Sequence, residues 1–238
     1  MYGRLDSLHR FPEHGHGHRT ATPGKITSTN ASQLERLTFF SDAVFAIAIT
    51  LLIIEVHVPH LETRDDQAYW QALHLLQPSF MGFMLSFLVI GALWVAHHRV
   101  FGMLVDYSPA IMWPNMLLLM VVAFMPFATA LMSSNPMARV PELFYACTLL
   151  IAGLLQRVLF AQALRPPYIR AGISSEDIAA TRWRSLGLPT AAAISLVGAW
   201  FAPGWNNFLL LSIPVLVRAY AAFGRRRALR LQMVPVES

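Results

Sequence analysis

A carboxylate, an imidazole, an amide, a hydroxyl and an indole N–H stand out in a sequence that is otherwise mostly apolar: Asp42, His97, Asn115, Ser41 and Trp94. Such groups can tie helices together by hydrogen bonds, relay protons, or hold a metal ion. A metal centre needs three or four converging ligands. His97 and its neighbour His98 point about 100° apart on a helix, so Asp42, His97 and His98 make a poor ligand set for an intramembrane enzyme. Arg36 lies six residues before Asp42 and on a different helical face, which disfavours a direct ion pair. Ala43, Ile47, Thr50 and Ile54, with Leu51 beside them, recur at helical spacing and form one apolar stripe bearing a single hydroxyl. Spacing alone leaves this stripe open between plain packing or lipid contact and a functional surface. Asp42 falls on its flank.

The elements that position these groups follow from composition. Of 238 residues, 55% are hydrophobic and 13% charged, against about 25% charged in a soluble domain. A solvent-bathed enzyme, a nucleic-acid-binding module and a disordered tail protein are excluded. A bilayer core of ~30 Å takes about 20 apolar helical residues. Six stretches qualify as spans: Phe39–Val58, Pro78–Ala96, Ile111–Met132, Leu143–Leu164, Leu186–Phe201, and Trp205–Val217 extended through Phe223. The expected fold is all-α, a polytopic membrane protein of six transmembrane helices. Residues 1–33 form a polar, His-rich arm expected to be disordered and cytoplasmic, 34–224 the membrane domain, and 225–238 a basic cytoplasmic tail. Tyr69 and Trp70 suit interfacial anchors. Ser174-Ser175-Glu176-Asp177 can cap a short helix at the inner surface.

Charge placement tests the count. With six spans both termini share one side, and that side holds 16 of the 18 Lys and Arg residues, leaving only Arg64 and Arg139 opposite. The positive-inside rule makes the rich side cytoplasmic. The net charge of +5 is therefore topology rather than an anion-binding surface, although Arg225-Arg226-Arg227 can touch anionic lipid. The single cysteine, Cys147, excludes a disulfide within the chain. The first two spans are antiparallel, so Ser41, Asp42, Trp94, His97 and Asn115 meet at one depth. They read as a hydrogen-bonded knot that orients the first helix, or as a proton or metal site; the knot is the better fit. A proton-coupled secondary transporter using Asp42 and His97 is the alternative, weakened by the lack of a clear internal repeat or broken helices.

Arg36-x-x-x-Phe40-Ser41-Asp42 opening the first span resembles the signature of the transmembrane protein 175 family of potassium channels, the lysosomal channel of animals and its bacterial relatives. Ala43, Ile47-Ala48-Ile49-Thr50-Leu51, Trp94-x-x-His97 and Asn115 fit the same pattern. The motifs cover roughly residues 34–132. A single signature is similar to the bacterial one-repeat form, which implies a homotetramer in the cell membrane with four first spans lining the pore. The resemblance implies a potassium-permeable cation channel, no enzyme and no cofactor or resident metal, with K⁺ as the permeant species. It further implies constrictions at Ile47, Leu51 and Ile54, selectivity linked to Thr50, and a pore-helix network of Arg36, Ser41, Asp42, Trp94, His97 and Asn115. Isoleucine rings lack the carbonyls that replace an ion's hydration shell in other K⁺ filters, so modest selectivity is expected, with Ile47 as the narrowest point.

Overall fold

A computed structural model describes residues 28–62, 65–106 and 109–232. The His-rich stretch of the arm expected over 1–33 lies outside them, as do residues 233–238 of the tail. The elements of the described residues are all helices: α1 Ser28–Leu51, α2 Asp66–Leu75, α3 Gln77–Phe101, α4 Met112–Ser133, α5 Arg139–Ala163, α6 Ser175–Arg184, α7 Gly187–Phe201 and α8 Ile213–Gln232. Short 3₁₀ turns over Leu52–Glu55, Pro109–Ile111 and Trp205–Ser212 extend α1, α4 and α8. Five segments are long and apolar enough to cross a membrane: Ala31–Glu55, Gln77–Phe101, Pro109–Ser133, Arg139–Ala163 and Trp205–Leu231. The protein is thus a multi-pass, all-α membrane protein.

The remaining expected span, Leu186–Phe201, is the 15-residue α7. At 1.5 Å per residue it is about 22 Å long, short of the ~30 Å hydrocarbon core. Its flanks nevertheless reach both halves of α5. Ser185, just before α7, receives Arg157 at 3.1 Å; Asn207, just after it, donates to Glu142 at 2.9 Å. α7 therefore runs antiparallel along α5 from Arg157 to Glu142.

Small residues make that packing close. Gly187, Ala191, Ala192, Ser195 and Ala199 are buried along α7, the pattern that lets membrane helices approach backbone to backbone. A Cβ on Gly153 of α5 would lie 2.9 Å from the Pro189 backbone nitrogen, which cannot turn aside, whereas one on Gly91 of α3 meets nothing within 4 Å. Gly153→Ala is expected to cost about 1–3 kcal/mol by overpacking, and Gly91→Ala to be neutral or slightly stabilising. Thermal unfolding of both variants in one detergent checks the pair.

α4 is the central element. Leu118, Val122 and Met125 are completely buried, and α4 packs on α1, α3 and α5. A triad of hydroxyls, Ser86 with Thr129 at 2.7 Å and with Tyr145 at 2.9 Å, joins α3, α4 and α5 in the apolar interior. Gln156 of α5 donates to the Leu93 carbonyl of α3 at 2.9 Å. These pairs satisfy groups that lipid cannot.

At one end, the loop after α3 pairs with the loop after α5: Val105 N donates to Tyr168 O and Arg170 N to Met103 O. α6 begins where expected, with the Ser174 hydroxyl accepting from Asp177 N at 3.1 Å, and packs on α8. α8 continues unbroken through Arg225–Arg227 to Gln232. The sequence reading did not foresee α2, which carries Tyr69 and Trp70 and is capped by Asp65 accepting from Gln67 N. Nor did it start α1 before Phe39, whereas the helix begins at Ser28.

Candidate functional site

α1 has two unlike faces. Leu34, Leu37, Ser41, Phe45, Ala48 and Leu52 are buried, spaced three and four apart as one helical stripe, against α3 and α4. At 100° per residue the stripe of Ala43, Ile47, Thr50, Leu51 and Ile54 lies roughly 140° around the helix from it. This second stripe is left uncovered by the other described helices: Ile47 is 57%, Leu51 40% and Ile54 66% exposed. Thr50 is exposed as well, and its hydroxyl donates to the Ile47 carbonyl at 2.9 Å. With its proton engaged in its own helix, the hydroxyl oxygen presents lone pairs to the outside.

Polar groups hold the buried face in register. The Ser41 hydroxyl donates to the Leu37 carbonyl at 2.8 Å. Asn115 Nδ2 donates to Ser41 Oγ at 2.9 Å. That leaves Asn115 Oδ1 to accept from His97 Nε2 at 2.8 Å, so this run of donors places the imidazole proton on Nε2. All three side chains are fully buried. Phe101 stacks on the imidazole at 4.0 Å and Phe45 tilts against it at 5.5 Å. His97 Nδ1 is buried without a partner among the described residues. Beside this chain Trp94 Nε1 donates to Asp42 Oδ1 at 2.9 Å, and the indole lies 5.5 Å from the His98 ring. α1 is thus fastened to α3 through Asp42–Trp94 and to both α3 and α4 through Ser41–Asn115–His97.

Of the residues singled out from the sequence, Ser41, Asp42, Trp94, His97 and Asn115 come together at one end of the bundle. Arg36 does not join them: it is exposed in the first half of α1, with no hydrogen bond to the group among the described residues. Phe40 is exposed too, on the uncovered side. Asp42 and His97 are held by different partners, with no direct bond between them among the described residues. There, too, no three His, Cys, Asp or Glu side chains gather as a ligand set. Phe45 and Phe101 escaped the sequence reading, although each stands four residues after a member of the group, Ser41 and His97. Also unforeseen were the Ser86–Thr129–Tyr145 hydroxyls, which hydropathy averaging drowns, and the buried Glu142, which stands one residue before the expected start of its span.

Residues 36–126 match the family model of the endosomal/lysosomal potassium channel TMEM175. The chain is 33% identical over 201 residues to a protein of Streptomyces collinus named a potassium channel, covering 79% of this chain and 97% of that relative. It superposes on the crystal structure of a Chamaesiphon minutus homologue of the lysosomal potassium-selective channel TMEM175 with a TM-score of 0.66 and 30% identity, covering 81% of this chain and 98% of that one. A human protein named endosomal/lysosomal proton channel TMEM175 is 29% identical over 163 residues, 63% of this chain but 32% of its own length.

Proposed function

Because the chain belongs to the TMEM175 family of endosomal/lysosomal potassium channels, we propose that it forms a potassium-permeable pore along the uncovered face of α1. The observation that carries this reading is the two-faced first helix. One side is locked to α3 and α4 by hydrogen bonds; the other leaves Ile47, Thr50, Leu51 and Ile54 uncovered by the other described helices. The helices of one subunit pack around α4, so the conduction path lies between subunits, and four copies around an axis bring four such faces together. Ile47, Leu51 and Ile54 are then successive apolar constrictions, with Ile47 the narrowest. Hydrophobic rings of this kind close by dewetting. The four Thr50 hydroxyl oxygens, their protons engaged with Ile47 carbonyls, supply the polar ligands nearest the ring and favour a partly dehydrated K⁺. Ser41, Asp42, Trp94, His97 and Asn115 set the rotation of α1 about its axis, on which the pore depends. Arg36, exposed in the first half of the same helix, has room to meet a neighbouring subunit.

The topology proposed with it has six crossings and both termini in the cytoplasm of a cell membrane. The antiparallel run of α7 beside α5 supports the sixth crossing, and the Lys/Arg asymmetry supports the orientation.

Reconstituted into liposomes under a K⁺ gradient, the protein should give currents whose reversal potential follows the K⁺ gradient. Reversal at the Cl⁻ potential would overturn the reading. Since the human relative carries the name of a proton channel, a second arm imposes a pH gradient at equal K⁺; reversal that follows pH alone would make the proton the permeant ion.

A further inference from the structure

Away from α1, a cleft of about 300 Å³ opens between α3 and the later helices, within the ~300–1,000 Å³ of small-ligand sites. Phe160, Leu188 and Ile213 line its apolar depth, and Arg99 and Arg184 stand among its lining residues. Arg99 is exposed at the end of α3 and Arg184 half-buried at the end of α6. Thr181, one turn before Arg184, is 4% exposed and lines the same cleft. Its hydroxyl makes no hydrogen bond among the described residues.

The charge here is unbalanced. Burial, then Arg99 and then Arg225 weaken the hold of Arg184 on its proton, and only Asp177 opposes them. Asp177 is itself paired with Arg225 at 3.6 Å. Two guanidiniums lining one apolar slot repel one another, and an anion between them relieves that repulsion. A free anion satisfies the arginines and leaves the slot empty; an apolar molecule does the reverse. A phosphodiester on an acyl chain satisfies both.

We propose that this cleft binds one anionic phospholipid, its phosphate between Arg99 and Arg184 within reach of Thr181, and an acyl chain along Phe160, Leu188 and Ile213. Both arginines fall on the Lys/Arg-rich side of the membrane, where anionic lipid is concentrated in a cytoplasmic leaflet. A choline headgroup would bring its own cation toward the arginines, so a zwitterionic lipid is the poorer occupant. Binding here is separable from conduction, because none of these residues lies on the uncovered face of α1.

Native mass spectrometry of the detergent-purified protein tests it with dioleoylphosphatidylglycerol, dioleoylphosphatidylcholine and glycerol phosphate. Phosphatidylglycerol should bind the unmodified protein in preference to phosphatidylcholine, and Arg99→Gln combined with Arg184→Gln should lower that affinity about tenfold. Arg226→Gln removes one charge from the same side, as Arg99→Gln alone does, and should retain the lipid. Arg99→Gln alone, at an exposed position, gives a readable loss should the double variant misfold. Equal lipid retention by the arginine variants overturns the site, and equal loss in Arg226→Gln reduces it to a diffuse basic surface. Competition by glycerol phosphate at equal concentration would make it a phosphate site with no use for the acyl slot.

Discussion

Asn115→Leu is expected to destabilise the folded protein by about 2–4 kcal/mol and to disturb the pore with it. Leucine keeps the same branched arrangement of four side-chain heavy atoms, so no cavity opens; the cost is in hydrogen bonding. Asn115 Nδ2 serves Ser41, and Asn115 Oδ1 receives His97 Nε2. Hydrogen bonds between membrane helices average only about 0.6 kcal/mol in double-mutant cycles, which alone would predict a mild effect. The larger figure comes from what remains. Ser41 keeps its bond to the Leu37 carbonyl, but His97, fully buried and already without a partner at Nδ1, is left with neither nitrogen satisfied. A buried orphaned group costs about 1–3 kcal/mol, and the aromatic rings of Phe45 and Phe101 prevent the imidazole from swinging to a new partner. Asn115→Leu should therefore melt well below the parent in detergent. Pairing it with His97→Phe, which removes the orphan, should restore much of the loss. A single variant as stable as the parent would mean that this chain of bonds does not hold α1.

How much of this was legible beforehand depends on which physical signal each residue left. Hydropathy marks where helices cross, and α3, α4 and α5 fall within a few residues of their expected bounds. It fails at the head of α1, where Leu34 and Leu37 are buried at helical spacing but Glu35 and Arg36 between them mask the run. It fails again at α2, whose amphipathic sequence averages to a loop. The depth argument that joined Ser41, Asp42, Trp94, His97 and Asn115 needed only antiparallel neighbours, and the observed hydrogen bonds run among these same side chains. Which atom bonds to which was not readable, since it depends on rotamers and on the crossing of three helices. Arg36 entered through the motif alone, and no position along the chain placed it with the others. The arginine-lined cleft was invisible for a different reason: Arg99 and Arg184 lie 85 residues apart in sequence and meet only in the tertiary fold, where the ends of α3 and α6 line one cleft.

Ile47→Asn is expected to raise K⁺ flux through reconstituted protein about tenfold or more and to weaken discrimination against Na⁺. In the proposed tetramer four isoleucine side chains meet at the narrowest level, and water leaves such a ring more readily than it enters. A passing ion must shed part of its shell against groups that offer nothing in return. Four asparagines supply four carbonyl oxygens and four amide donors at that level, so water and ion both find partners there. Only about 1.4 kcal/mol off the barrier gives a tenfold rise, less than one good hydrogen bond to a charged species. The same ligands serve Na⁺ as well as K⁺, hence the loss of discrimination. The fold is not expected to interfere, because Ile47 is 57% exposed within the subunit and opposite the face that packs; such positions tolerate substitution within about 0.5 kcal/mol. Ile47→Leu, which keeps the ring apolar, separates chemistry from mere change and should leave flux near the parent level. If Ile47→Asn folds, reconstitutes and conducts as the parent does, Ile47 is not at the constriction and the conduction path does not follow the uncovered face of α1.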